Sequence, residues 1–368
     1  MTPPARARLA AAGLMHIPLI SRWSVPTQWA ALLALSALLG GALDLMGLPA
    51  ALLLGPMLAG ILFGIQGATA RVPPLPFLGA QALIGMLIAN AVTAEILVTL
   101  AADWAVFLGI ILSTIAASTL LGWLMSRWRL LPGTTAIWGS SPGAANAMTL
   151  LAGAFGADIR LVAFMQYLRV VFVAGFASLV AQLWGAGAGE RPPHDWFPAL
   201  PLLPFAATLA VAFGGAALGR LLRWPAASLL TPMLLGAVLH AAGLLTIVLP
   251  EWLLAACYAL VGWRIGLGFT RPIIRAAARA FSRVVLSILV LLAFCGGLAA
   301  LLVVWLGIDP LTAYLATSPG GIDTIAIIAA GTPVDLSFIM GLQVARLILV
   351  ILLAPPIARF MARRVPPE

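Results

Sequence analysis

The stretch Ser140-Ser141-Pro142-Gly143-Ala144-Ala145-Asn146 interrupts an otherwise apolar segment, Thr134 to Phe155. A second version, Thr317-Ser318-Pro319-Gly320-Gly321-Ile322-Asp323, follows 177 residues later. Proline removes an amide donor and glycine tolerates unusual backbone angles, so each copy is expected to break a helix or turn a hairpin. The chain around them is 63% hydrophobic and 8% charged, with mean hydropathy +1.11, which places the broken helices in a bilayer. Irregular backbone at that depth is tolerated only inside protein or beside a water-filled cavity. Two matching breaks in two halves point to a transporter's binding site; a pair of packing kinks without a ligand is the plainer alternative.

Apolar runs of membrane length cover Trp29–Leu48, Ala50–Ile65, Phe77–Leu100 and Trp104–Met125, then the first broken segment and Ile159–Leu183. A polar, proline-rich connection, Gly185 to Pro198, follows. The order then repeats as Leu202–Leu222, Ala226–Leu249, Trp252–Phe269, Val284–Leu306, the second broken segment Leu311–Ala330, and Leu336–Phe360. Gly55-Pro56-Met57-Leu58 matches Thr231-Pro232-Met233-Leu234, and at the 177-residue offset Gly85 meets Gly262, Asn146 meets Asp323, Asp158 meets Asp335, Gln166 meets Gln343 and Arg169 meets Arg346. Apolar helices share Leu and Ala by chance, but not polar residues in register, so the halves are a duplication. The expected units are a cytoplasmic tail 1–27, a first repeat 28–184, a polar linker 185–200, a second repeat 201–362 and a cytoplasmic tail 363–368.

Charge sets the orientation. Arg71, Arg127 and Arg129 have counterparts marked by Glu251 and Asp309. Conversely Arg220, Arg223, Arg271, Arg275, Arg279 and Arg283 fall in loops whose first-half partners lack Arg, one of them holding Asp103. Arginine-rich loops stay cytoplasmic, so each loop changes side between halves and the repeats are inverted. Inversion needs an odd number of crossings per half. The expected architecture is therefore all-α: two inverted repeats, each of about five transmembrane helices plus one re-entrant helical hairpin. A crossing but unwound helix would instead make the repeats parallel.

The excess of 20 basic over 11 acidic residues does not indicate nucleic acid, because the arginines flank apolar spans. Cys257 and Cys295 read as buried thiols, and His16, His194 and His240 have no metal-ligand spacing; no metal and no cofactor is expected. The candidate substrate site joins the two breaks, Ser140, Ser141, Gly143 and Asn146 with Thr317, Ser318, Gly320 and Asp323, to Gln166 with Arg169 and Gln343 with Arg346. Helix N-termini beyond each Pro-Gly suit an anionic group, and carbonyls on the other arm suit Na⁺. Arg169 lies eleven residues past Asp158, about 16 Å along a helix and so about half of a ~30 Å hydrocarbon core. An arginine at that depth faces a partner or a cavity: either it binds substrate or it pairs structurally, for instance with Asp323. Asp158 and Asp335 are expected as N-caps, and with Asp323 they are the candidates for binding a coupling ion. Arg264 either snorkels or lines a pathway.

The duplicated Gly-Pro-Met, the Ser-Pro-Gly hairpin and the Asp-x7-Gln-x2-Arg helix together resemble the AbrB family of bacterial membrane proteins, which carry two AbrB-duplication units. The resemblance spans roughly residues 28–362. It implies a multi-pass protein of the bacterial inner membrane, both termini cytoplasmic, with the lipid bilayer as its environment. Family members have been described as regulators of gene expression or as ammonia monooxygenases. The histidines here do not supply the ligands a monooxygenase needs, so no enzymatic activity is expected. The expected function is secondary transport of a small anionic organic solute by alternating access, coupled to Na⁺ or H⁺. The alternative is a membrane-embedded regulator or sensor that acts without transport. A homodimer is one assembly open to such a chain.

Overall fold

The computed structural model describes residues 19–46, 48, 50–91, 104–128, 131, 135–141, 157–183, 198–222, 227–278 and 280–362. Among them every regular element is a helix. In chain order these are α1 Val25–Leu45, α2 Ala51–Ile65, α3 Pro74–Ala91, α4 Trp104–Arg127, α5 Thr135–Ser140, α6 Ile159–Leu183, α7 Leu202–Leu221 and α8 Ala227–Ala241. They continue as α9 Glu251–Gly266, α10 Arg271–Ala277, α11 Phe281–Leu306, α12 Pro310–Thr317, α13 Ile322–Ala330 and α14 Leu336–Ala362. The expected connection 185–200 and both tails lie largely outside the described residues.

Five of the described helices, α1, α4, α6, α7 and α11, are long and apolar enough to cross a membrane. Their outer faces explain why. On α11 the buried residues Val284, Ile288, Leu291, Leu292, Cys295, Ala299 and Leu302 recur at helical spacing. The opposite face exposes Leu286, Val290, Phe294 and Val304, an arrangement suited to hydrocarbon and not to water. The protein is thus a multi-pass membrane protein. The second and eighth helices are shorter, 15 residues each, or about 22 Å at helical rise, and both carry an internal proline, Pro56 and Pro232. The run expected as one span over Ala226–Leu249 divides: α8 stops at Ala241, Gly243 turns the chain at φ +71°, and the chain continues without helix to Pro250. Glycine is the residue that accepts that left-handed angle without strain. The expected span Phe77–Leu100 starts earlier, at Pro74, and is described as far as Ala91.

The third helix of each half docks on the second helix of the other. Gly85 on α3 sits against Leu229 of α8, where an added Cβ would lie 2.5 Å from the Leu229 carbonyl oxygen. Gly262 on α9 sits against Leu53 of α2, where a Cβ would lie 2.7 Å from the Leu53 oxygen. Two other contacts strengthen the second exchange. Trp263 Nε1 donates to Ser36 Oγ on α1 at 2.9 Å, and Arg271 Nε donates to the Ile65 carbonyl at the end of α2 at 2.8 Å. A cation at a helix C-terminus meets the negative end of its dipole. The exchange is deeper for α3, which buries Ala82, Leu83, Ile84, Met86, Ile88 and Ala89. The remaining helices, α4–α6 and α11–α14, pack together and hold both broken segments.

These docking glycines can be tested. Gly85→Ala and Gly262→Ala push a methyl into backbone and should each destabilise the purified protein by about 1–3 kcal/mol. Gly175→Ala on α6, where a Cβ meets nothing within 4 Å, should be neutral or stabilising in the same thermal-unfolding measurement. Equal tolerance at all three positions would contradict the exchange.

Candidate functional site

The second broken segment is described throughout. Helix α12 rises through eight residues and ends at Thr317, the chain turns over Ser318–Gly321, and α13 returns through nine. Arms of that length span about 12–14 Å, so the tip stands near half the thickness of a ~30 Å hydrocarbon core if the base lies at its edge. The two ends meet: Thr312 Oγ1, in the first turn of α12, accepts from the Asp335 backbone N–H at 3.3 Å. In the first half Thr135 Oγ1 accepts from the Asp158 N–H at 3.1 Å, at the same offset, so this segment also returns to its starting point. Residues 142–156 between them, including Gly143 and Asn146, lie outside the described residues.

From each base a long helix runs back along the first arm. Its N-terminus is capped by the aspartate: Asp158 Oδ1 accepts from Leu161 N–H at 3.4 Å, and Asp335 Oδ1 accepts from Phe338 N–H at 3.0 Å. Each carboxylate thus satisfies a helix-end amide and favourably meets the dipole. Two to three turns further on, the Gln and Arg of the same helix reach the tip.

There they repair the damage that proline does. Proline at 319 has no N–H for the carbonyl four residues back, Leu315, and a helix ending in an apolar interior leaves further carbonyls without donors. Gln343 Nε2 takes up Leu315 O at 2.9 Å, with Ala316 O at 3.3 Å and Ser318 O at 3.1 Å. Arg346 Nη1 donates to Ser318 O at 2.6 Å, and its Nη2 to Gly320 O at 3.1 Å and to Gln343 Oε1. The first half repeats this at the 177-residue offset. Gln166 Nε2 donates to Trp138 O, four residues before Pro142, at 3.1 Å and to Ser141 O at 3.1 Å. Arg169 Nη1 donates to Ser140 O at 3.2 Å and Ser141 O at 3.0 Å, and its Nη2 to Gln166 Oε1 at 2.6 Å. All four side chains are buried, the arginines at 4% and 5% exposure.

The two breaks also approach one another. A Cβ at Gly320 would lie 2.8 Å from Val173 Cγ1, one turn beyond Arg169 on α6, and the helix of the first break touches α14, which carries Arg346. Two buried cations therefore share one region, and among the described residues their hydrogen-bond partners are all uncharged.

The expected hydroxyl-rich tips are only partly turned to that region. Thr317 Oγ1 stands within hydrogen-bonding distance of Ala313 O and Tyr314 O in its own helix and of Cys295 O of α11 at 3.1 Å, with one proton to give among them. Ser140 Oγ makes one long bond, 3.3 Å, to Ile137 O, and Ser318 Oγ is buried without a partner among the described residues. Asp323 lies in the first turn of α13, its side chain outside the described residues. The carbonyls expected to suit Na⁺ are instead occupied by Gln and Arg. Thr135 and Thr312 went unremarked in the sequence although they sit in the same register. Arg264, in the last turn of α9, is exposed and lies over the Phe77 ring at 5.5 Å, a snorkelling position. Cys257 and Cys295 are buried free thiols, and among the described residues no three His, Cys, Asp or Glu side chains cluster as a metal site would need.

The repair generates its own test. Gln343→Leu leaves Leu315 O and Ala316 O without that donor, Ser318 O keeping Arg346, and should destabilise the protein by roughly 1–3 kcal/mol; Gln166→Leu should act in the same range. Denaturant unfolding of the purified variants reads this, and unchanged midpoints would mean that water or other groups serve those carbonyls.

Comparison with known proteins places the chain in a family. The family model described as "Transition state regulatory protein AbrB" matches residues 52–362. The "Putative regulator AbrB" of Escherichia coli (strain K12) is 50% identical over 342 residues, covering 92% of this chain and 98% of the relative. The "Uncharacterized protein YhjN" of Bacillus subtilis (strain 168) is 26% identical over 296 residues, covering 76% of this chain and 77% of the relative. The matched range contains both broken segments and both Gln–Arg helices, and the chain belongs to the AbrB family.

Proposed function

We propose that this protein is a secondary transporter of the bacterial inner membrane. It carries a small anionic organic solute by alternating access at the interface of two inverted repeats, residues 28–184 and 201–362. One observation carries the reading: two helices broken in the apolar interior, each held open by a buried Gln–Arg pair, meet across the two halves. Maintaining two cations and two unwound tips in that interior costs stability, and a binding site at the membrane midplane is the use that explains the cost. The meeting of each segment's ends, through Thr135 with Asp158 and Thr312 with Asp335, supports a hairpin that enters and leaves on one side. With the hairpins counted so, five crossings per half invert the second repeat and keep both termini cytoplasmic.

The net positive charge of the two guanidiniums supports an anion as the solute, and co-transport of Na⁺ or H⁺ would offset its charge. Asp323 remains the coupling candidate closest in sequence to a tip, whereas Asp158 and Asp335 are engaged as caps. No covalent step enters this reading. The regulatory wording attached to the family and to the Escherichia coli relative draws no support from the described residues.

Reconstituted in proteoliposomes, the wild type should accumulate a member of a radiolabelled carboxylate panel saturably. Arg169→Gln and Arg346→Gln should each lower the rate at least about tenfold, the effect of losing one buried charge contact. Arg169→Lys, which keeps the charge but not the fork, distinguishes lost binding from lost folding. Failure of the wild type to move any of the panel would remove the anion-transport reading. Topology has its own check: an impermeant thiol reagent added to intact cells should label His194→Cys and spare Arg275→Cys. The reverse pattern would exclude inverted repeats.

A further inference from the structure

The first Gln–Arg latch has a donor left over, and the space beside it has a definite size. Arginine has five N–H donors. Three hydrogen bonds engage Nη1 and Nη2 of Arg169, and Nε is buried with no partner among the described residues. Leaving an N–H of a cation unserved in an apolar interior is costly. Arg169 lines a small cavity between α4, α5, α6 and α11, together with Ser140, Ser287 and Met165; Leu121 and Ile288 make apolar wall. About 10 Å³ of it is open to the centre of a water molecule, which is room for one water and for no organic guest.

The hydroxyls at this cavity are already turned to accept. Ser287 Oγ gives its proton to Val284 O at 2.8 Å, and Ser140 Oγ gives its own to Ile137 O at 3.3 Å. Each oxygen keeps its lone pairs, while Arg169 Nε can only donate. A bare anion brings acceptors alone; it would serve the arginine and face lone pairs on both serines. Water brings two donors and two lone pairs, and so matches all three groups at once.

We infer that this cavity is a water site, in which one water accepts from Arg169 Nε–H and donates to the Ser140 and Ser287 oxygens. Three hydrogen bonds are the usual complement of a buried water. The inference is independent of the transport reading. Its consequence is a bridge, since a shared water is nearly as good a link as a direct hydrogen bond. Arg169 holds the first break from α6, and the water carries that latch across to Ser287 on α11. About two turns further along α11, Cys295 O lies 3.1 Å from Thr317 Oγ1 at the second break. One helix thus reaches both breaks, the second directly and the first through a water that can reorient as its neighbours shift.

Density tests the site directly. A map of the full-length protein that resolves buried waters should show one peak about 2.7–3.2 Å from Arg169 Nε, Ser140 Oγ and Ser287 Oγ. Radiolytic footprinting in nanodiscs, with a scavenger that removes radicals formed in bulk solvent, gives a second readout. Met165 lines the cavity at 2% exposure, whereas Met57 and Met86, at 1% and 0%, do not line it. Radicals formed from the bound water should oxidise Met165 and spare Met57 and Met86. Ser287→Val replaces the accepting oxygen by a methyl, so the peak should be lost and Met165 should become as resistant as Met86. If that variant does not fold, the wild-type map and footprint still decide. A map that shows other buried waters but no peak here overturns the inference, as does Arg169 Nε donating to a protein group. So does an anomalous peak at this position after bromide exchange, which would make it an anion site. Equal resistance of the three methionines, or a peak and a Met165 signal that Ser287→Val leaves unchanged, would count against it equally.

Discussion

The arrangement depends on one exchange of hydrogen bonds. A proline in the middle of an apolar helix removes a donor that water cannot replace at that depth. Here the donor returns from a glutamine on the following helix, which reaches Trp138 O in one half and Leu315 O in the other, the carbonyls that Pro142 and Pro319 leave unserved. The arginine one turn further on takes the next carbonyls and is itself oriented by the glutamine's oxygen. The pair does what a further turn of helix would do while leaving the backbone open at the tip. Its bonds to the tip are side chain to main chain, so they can be released without unfolding either helix, as the mechanism proposed above would require.

The docking of the third helices complements this. Because α3 lies on α8 and α9 on α2, each half is completed by the other, and close backbone approach at Gly85 and Gly262 makes the contact specific. The broken segments sit among α4–α6 and α11–α14, which touch this scaffold through α3 and α9. Membrane helices gain little from apolar burial against one another, so small residues at close contact and a few hydrogen bonds such as Trp263 to Ser36 fix the geometry. A closely packed frame beside a segment held by side-chain bonds is the division that the alternating-access mechanism proposed above would use.

The duplication preserves structure and lets the site diverge. Threonine at the base, aspartate at the cap, glutamine and arginine at the tip recur at one offset, each with the same main-chain task. Other positions differ: at the same offset Ser287 corresponds to Ile110 and Ser140 to Thr317. A backbone repair must be the same in both copies, since both copies have the same break.

Much of this was legible in the sequence by itself. Helical class and membrane location follow from apolar runs whose length and polarity only a bilayer tolerates. The helix breaks and the matching polar residues at one offset follow from proline chemistry and constant spacing. These are local properties, set by residues a few positions apart. Tertiary structure decided the rest. It turned the arginines onto carbonyls, so that the expected cation-binding oxygens are occupied, and it sent the Thr317 hydroxyl back to its own helix and to α11. It stopped α8 at Ala241, and it set α3 and α9 on opposite halves. Which carbonyl a buried donor meets depends on residues from 25 to 29 positions away, and which helix a glycine admits depends on the whole packing. Neither is encoded in the neighbourhood of the residue concerned.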